Sequence, residues 1–318
     1  MRCGYILVGA ALTATFAARA APVTTNGVPV SVVATGPGTT QLFGLTSDAQ
    51  GRVYVGNNSN DPSGIPVQRY DPALYSGTPI ALQNFGPPVG DADGITYSNG
   101  SIYVTDRDDG VRRIPVGGGA DTLFLPGRGI NADGSPLAVR PSDGHLFVGF
   151  GGGTGVNIIN EFDAAGAFVR AHATGTEIET MTFDPRSGLI YYAPFGSAVR
   201  ALDPVTDVDR LVGQSSGVVD GGLAFDALSG LLFVGTANGA NSGLIETIDP
   251  ATGTTKLFAS GFNGSLGILR EPVSGDLFFL ETNQLYRLES SNVPEPGAAA
   301  LACAMAAVVA TRRRRGGR

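Results

Sequence analysis

Three carboxylates stand in comparable places along the chain. Asp93, Glu179 and Asp220 each come shortly before a short apolar strand that opens a repeat, and Asp133 and Asn263 hold less well aligned positions of the same kind. If those strands line one axis, the carboxylates converge and repel unless a hard cation sits between them. Oxygen ligands of this type suit Ca²⁺ or Mg²⁺. A cation held this way lowers the pKa of a bound water and so makes a hydrolytic nucleophile. Solvated carboxylates on turns are the alternative. Other chemistry is sparse. The 318 residues contain two histidines, His145 and His172, which stand far apart in the repeat frame and so offer no dyad. The sequence has no HExxH, GxSxG, Walker A or paired-Cys motif. The run Gly149 to Gly155 misses the dinucleotide spacing and joins two strands, so it reads as a loop. Two acidic or amide-rich loops, 57–64 and 106–110, lack full calcium-loop spacing and read as turns. Tyr70, Tyr75 and Phe262 are aromatics that a carbohydrate platform would need on the surface.

The elements that must position these residues are repeats. VYV (53–55), IYV (102–104), LFV (146–148), IYY (190–192), LFV (232–234) and LFF (277–279) start 49, 44, 44, 42 and 45 residues apart. A period near 45 fits four strands per unit. Before each run lies a small strand and a polar turn with Gly near its end, as in GLTSDAQGRVYV and GLAFDALSGLLFV. Such turns need residues that tolerate the left-handed region. The anchor runs are apolar on consecutive residues, which suits sheets covered on both faces. No helical pattern separates them over 22–292. A spare strand, VPVSVVA (28–34), precedes the first repeat, and the sixth repeat stops after QLYRLES (284–290). The spare strand therefore completes the last unit and closes a ring. The reading is an all-β, six-bladed β-propeller over residues 21–292. The turn-plus-anchor motifs resemble the NHL and gluconolactonase-like propellers. In the gluconolactonase-like family a Glu, Asn and Asp set in this region holds a divalent metal that activates water. Here the first repeat carries Phe43 where a ligand would be wanted.

The two ends read as addresses. Residues 1–20 have Arg2, an apolar stretch from Tyr5 to Ala18, and small residues at Ala18 and Ala20, the pattern of a signal peptide cut by signal peptidase after Ala20. A buried N-terminal helix is the alternative. The last 26 residues hold Val293, Pro294, Glu295 and Pro296, then a fifteen-residue apolar run from Gly297 to Thr311, then Arg312, Arg313, Arg314 and Arg315. Fifteen apolar residues are marginal for a permanent span, and the arginines would hold the end on the cytoplasmic side. The order of the three parts resembles the PEP-CTERM sorting signal of Gram-negative bacteria. That resemblance implies an exosortase-type enzyme acting at Pro-Glu-Pro, with the protein membrane-anchored only until it is processed. An unprocessed transmembrane anchor is the alternative.

Composition sets the partners. The chain is about 15% Gly, with 20 Pro, no Trp and a net charge of −7. Loss of both ends removes seven arginines and takes the charge to about −14, or about −13 if Glu295 also leaves. That charge disfavours nucleic acid and anionic lipid. Both cysteines, Cys3 and Cys303, leave too, which excludes thiol chemistry and Cys-ligated zinc in the mature chain. The resulting expectation is an exported binding or structural module at the cell surface or in the extracellular matrix, with a polysaccharide or a surface protein as partner. The runner-up is a divalent-metal-dependent lactonase or esterase, with Asp93, Glu179 and Asp220 as ligands.

Overall fold

The computed structural model describes residues 21–37, 41–58, 64–90, 92–106, 109–127, 135–150, 157–238, 241–264 and 267–292. The leader with Ala18 and Ala20, the tail from Val293, Asp133 and residues 151–155 of the glycine run lie outside the described residues.

Two short strands, β1 (Val23–Thr24) and β2 (Ser31–Thr35), precede the repeats. The first repeat supplies β3 (Gln41–Ser47), β4 (Val53–Asn58), β5 (Ile65–Tyr70), β6 (Ile80–Ala81) and β7 (Gln83–Val89), with a 3₁₀ turn at Pro72–Leu74. The second supplies β8 (Ile95–Ser98), β9 (Ser101–Asp106), β10 (Gly110–Pro115) and β11 (Thr122–Pro126), and the third β12 (Leu137–Val139), β13 (Leu146–Gly149), β14 (Ile158–Phe162) and β15 (Phe168–Ala173). In the fourth, β16 (Thr180–Phe183), β17 (Ile190–Ala193) and β18 (Gly196–Asp203) lead into β19 (Val208–Phe225), which runs on into the fifth repeat. There follow β20 (Leu232–Asn238), β21 (Leu244–Ile248) and β22 (Thr255–Ser260), then β23 (Gly267–Arg270), β24 (Leu277–Glu281) and β25 (Gln284–Leu288). Among the described residues there is no α-helix.

Each repeat opens with a hairpin set by local chemistry. Asp48 Oδ1 accepts from the backbone N–H of Gln50 and Arg52, Asp184 Oδ1 from that of Arg186, and Asp226 Oδ1 from that of Leu228. The glycine that ends each turn has positive φ: Gly51, Gly100, Gly144, Gly188, Gly230 and Gly275 all lie between +73° and +78°. A side chain there would be strained. All six turns thus end on a left-handed glycine, and that of the second repeat is a tight Asn99-Gly100 turn between paired Ser98 and Ser101.

The strands form antiparallel meanders such as β8-β9-β10-β11 and β12-β13-β14-β15. The long β19 fuses two meanders into one eight-stranded sheet. The first strands touch in cyclic order: β3 meets β8, β8 meets β12, β12 meets β16, β16 meets β19, β19 meets β23, and β23 returns to β3. This is the closed ring of a β-propeller. β2 pairs antiparallel with β25, as the spare strand was expected to do. Two additions were not foreseen. β1 pairs with the outer edge of β22, and β6 pairs parallel with β2.

The core lies between neighbouring sheets. Val53 and Val55 of β4 pack with Phe278 and Leu280 of β24, while Tyr54 between them packs on the other side with Ile102 and Val104 of β9. Likewise Leu232 and Val234 face Tyr191, whereas Phe233 faces Leu277 and Phe279. Alternate residues thus reach opposite neighbours, which is why the anchor runs are apolar throughout. Burying each such side chain contributes roughly 1.5–3 kcal/mol.

Candidate functional site

The inner strands bring one aliphatic residue each to the central axis: Leu45, Ile95, Leu137, Met181, Leu223 and Ile268. The last five are at most 6% exposed. All six line both a small upper cavity of about 50 Å³ and a lower cavity of about 210 Å³, so they partition the channel. Sequence reasoning passed over this ring. Its signal is the apolar residue in GLT, GIT, PLA, TMT, GLA and GIL, which recurs at the start of every repeat.

The expected metal carboxylates meet this ring unequally. Asp93 and Glu179 line the upper cavity, each two residues before its ring residue, Ile95 and Met181. Phe43 holds that step in the first repeat and Gly221 in the fifth. Asp220 falls three residues before Leu223, one step out of register. The register of β19 is irregular between Val219 and Leu223, and Gly221 has a φ of +82°. Asn263 lines a different cavity. Among the described residues no group of three or more His, Cys, Asp or Glu side chains is placed to hold a metal ion. The described residues therefore do not assemble the divalent ligand set implied by the gluconolactonase-like resemblance. In the 106–110 loop, Asp106 and Asp109 are both bound by Arg112, whose guanidinium those hydrogen bonds hold in its charged form.

The two histidines are not far apart. His145 Nδ1 lies 2.7 Å from Glu161 Oε1, and His172 Nε2 lies 3.2 Å from Glu161 Oε2. Antiparallel pairing places Glu161 of β14 between β13 and β15, opposite Phe147 and Arg170, and so brings a histidine from each side. Arg140 and Arg170 also bind this carboxylate, at 2.9 and 3.1 Å. Burial would raise the Glu161 carboxyl. Hydrogen bonds from His145, Arg170 and His172, with the charge of Arg140, outweigh it and hold the pKa at about 2. His172 and Glu161 are buried, and neither histidine lines a cavity described here. The cluster is a structural lock.

The aromatic platform expected of Tyr70, Tyr75 and Phe262 does not form. Tyr70 and Phe262 are core residues at 0% and 1% exposure, because they pack in the clusters that hold Phe278 and Phe279. Only half-buried Tyr75 reaches a cavity, the largest described at about 620 Å³, which lies where β2 closes the ring.

The face bearing the first turns of the repeats is different. An apolar groove of about 360 Å³ runs there between Pro141, Phe183, Pro185, Phe225, Leu228 and Pro272. Leu228 is 68% exposed. The groove shares Val139, Phe183, Phe225 and Arg270 with the lower channel cavity, so the two adjoin. Arg186 sits over the Phe225 ring, 5.0 Å from its centroid.

No protein-family profile matches the chain, and no curated protein matches it. Among solved structures, a chain in the crystal structure of a nidogen/laminin complex is similar, with a TM-score of 0.59 and 17% identity over 80% of this chain and 91% of that one. At this identity the likeness is one of fold, and it agrees with the closed ring of antiparallel sheets: the chain is a β-propeller.

Proposed function

We propose that the chain is an exported six-bladed β-propeller that acts as a protein-binding module at the cell surface, with the turn-bearing face around Phe183, Phe225 and Leu228 as its docking surface. The observation that carries this reading is the groove. It is an apolar, partly exposed surface at one end of a channel that is otherwise closed by aliphatic side chains. Contiguous exposed apolar surface on a folded domain marks interaction sites. Six inner strands in cyclic contact, with β2 completing the sheet of β23, β24 and β25, support the blade count. The solved relative belongs to a nidogen/laminin complex, which fits a role in binding a protein. The leader-like residues 1–20 and the PEP-CTERM-like order of Val293–Pro296, apolar run and Arg312–Arg315 support export, sorting by an exosortase-type enzyme and transient membrane association. A metal-dependent hydrolase has no three-residue ligand set to rest on among the described residues.

The test is made in the native cells. A photo-crosslinking residue is placed at position 228 and, as control, at exposed Leu211 on the outer rim. The expected result is a surface-protein adduct at 228 that is absent at 211, on a chain whose N-terminus is Ala21. Equal adducts at both positions, or an intracellular chain that keeps its leader, overturn the reading.

A further inference from the structure

Arg270 ends β23 at the junction of channel and groove, and it lines both cavities. Its side chain is only 9% exposed. Nε lies 3.3 Å from Asp226 Oδ1, an ion pair without hydrogen-bond geometry, and neither Nε nor Nη1 donates to any acceptor. A buried guanidinium with unused N–H groups costs free energy until an acceptor arrives. We propose that this junction is a carboxylate-binding site, where an acidic side chain of a partner protein, flanked by apolar residues, passes Phe183 and Phe225 to meet Arg270.

The surroundings favour that chemistry. Thr46, Thr96 and Thr182 come from equivalent steps of β3, β8 and β16 to line the lower cavity, so hydroxyl groups accompany the guanidinium. Arg186, half-exposed over Phe225, adds a second cation at the groove. The nearby acids are also tied into their own turns, Asp226 beside its ion pair with Arg270. Asp184, Asp226 and Glu271 each accept backbone N–H groups of their own turns. A guanidinium recognises a carboxylate through a planar fork, which a neutral amide cannot match. The apolar groove gives flanking side chains a place to lie, so a peptide segment suits the site better than a free small anion. This inference rests on the docking-face reading above.

The full-length chain is titrated with the blocked tripeptides Leu-Asp-Leu and Leu-Asn-Leu and with sodium acetate, and followed by calorimetry and by the Arg Nε resonances. The Asp peptide is expected to bind at least tenfold more tightly than the Asn peptide and to shift the Arg270 Nε signal. Arg270→Gln removes the preference, Arg270→Lys restores part of it, and Leu228→Ser weakens both peptides. Equal affinity for the two peptides, an unmoved Arg270 signal, or acetate that binds while the peptide does not, overturns the proposal. The wild-type resonance needs no variant, so a poorly folding Arg270→Gln leaves the proposal testable. If the peptides show no preference while the crosslink at 228 still forms, the carboxylate site falls and the docking face stands.

Discussion

His172 Nδ1 lies 2.5 Å from Asp207 Oδ1, so β15 is tied to the turn between β18 and β19 of the neighbouring sheet. The other ring nitrogen meets Glu161. Arg170 strengthens the same seam through hydrogen bonds to Glu161 and to the Pro204 carbonyl. A ring of sheets is only as stable as its seams, and this one adds a polar tie to the apolar packing of Phe147 and Ile159 against Tyr192 and Met181.

Glu161 makes that seam acid-sensitive. Its folded-state pKa of about 2 lies below the ordinary value of 4.5, so its contribution is complete above pH 4.5 and is lost as pH falls toward 2. The full span is on the order of 3 kcal/mol. Urea unfolding from pH 6 to pH 2.5 should show this loss. Glu161→Gln should flatten the profile and cost about 1–3 kcal/mol at neutral pH, since it leaves the partly exposed Arg140 and Arg170 without their buried partner. An unchanged profile in that variant would remove the lock.

The aliphatic partition should be felt as core. Leu223→Ala is expected to cost about 2–4 kcal/mol, because a side chain that is 5% exposed leaves a void joining the two channel cavities. The midpoint of denaturant unfolding measures it. A loss under about 0.5 kcal/mol would show that the channel is not packed.

Gly94 tests the close approach of neighbouring inner strands. A Cβ there would sit 2.1 Å from the Ser135 carbonyl oxygen, which is backbone and cannot rotate away. Gly94→Ala should therefore destabilise by about 1–3 kcal/mol. Gly90→Ala, whose Cβ would meet only Asp106 Oδ1 at 3.5 Å, should be nearly neutral. Differential scanning calorimetry of the pair separates contact from backbone entropy.

Closure of the ring by β2 predicts a severe phenotype for a short deletion. Val33 and Ala34 are buried among Leu42, Phe278, Leu280 and Leu285. Removing residues 21–35 exposes that cluster and leaves the edge of β25 opposite β24 unpaired. Size-exclusion chromatography should show aggregation or self-association instead of a monomer peak. A monomer with unchanged melting temperature would refute closure by this strand.

The sequence by itself determined what local backbone chemistry and burial period encode. The six anchor runs, the left-handed glycine that ends each turn and the closing strand could all be read from residue spacing, because each depends on neighbours a few positions away or on a repeat of two-sided burial. The channel ring was legible too, in the apolar residue after each Gly, Pro or Thr. The tertiary structure alone decided which side chains meet. Asp93 and Glu179 line the upper cavity while Asp220 does not, and the irregular register of β19 between Val219 and Leu223 is not written in the repeat spacing. His145 and His172 join on Glu161 because antiparallel register sets β13 and β15 on either side of β14. Arg270 looks in the sequence like any strand-end arginine. Ring closure buries it at the channel's end beside Asp226 with Nε and Nη1 making no hydrogen bond, and no spacing along the chain records that.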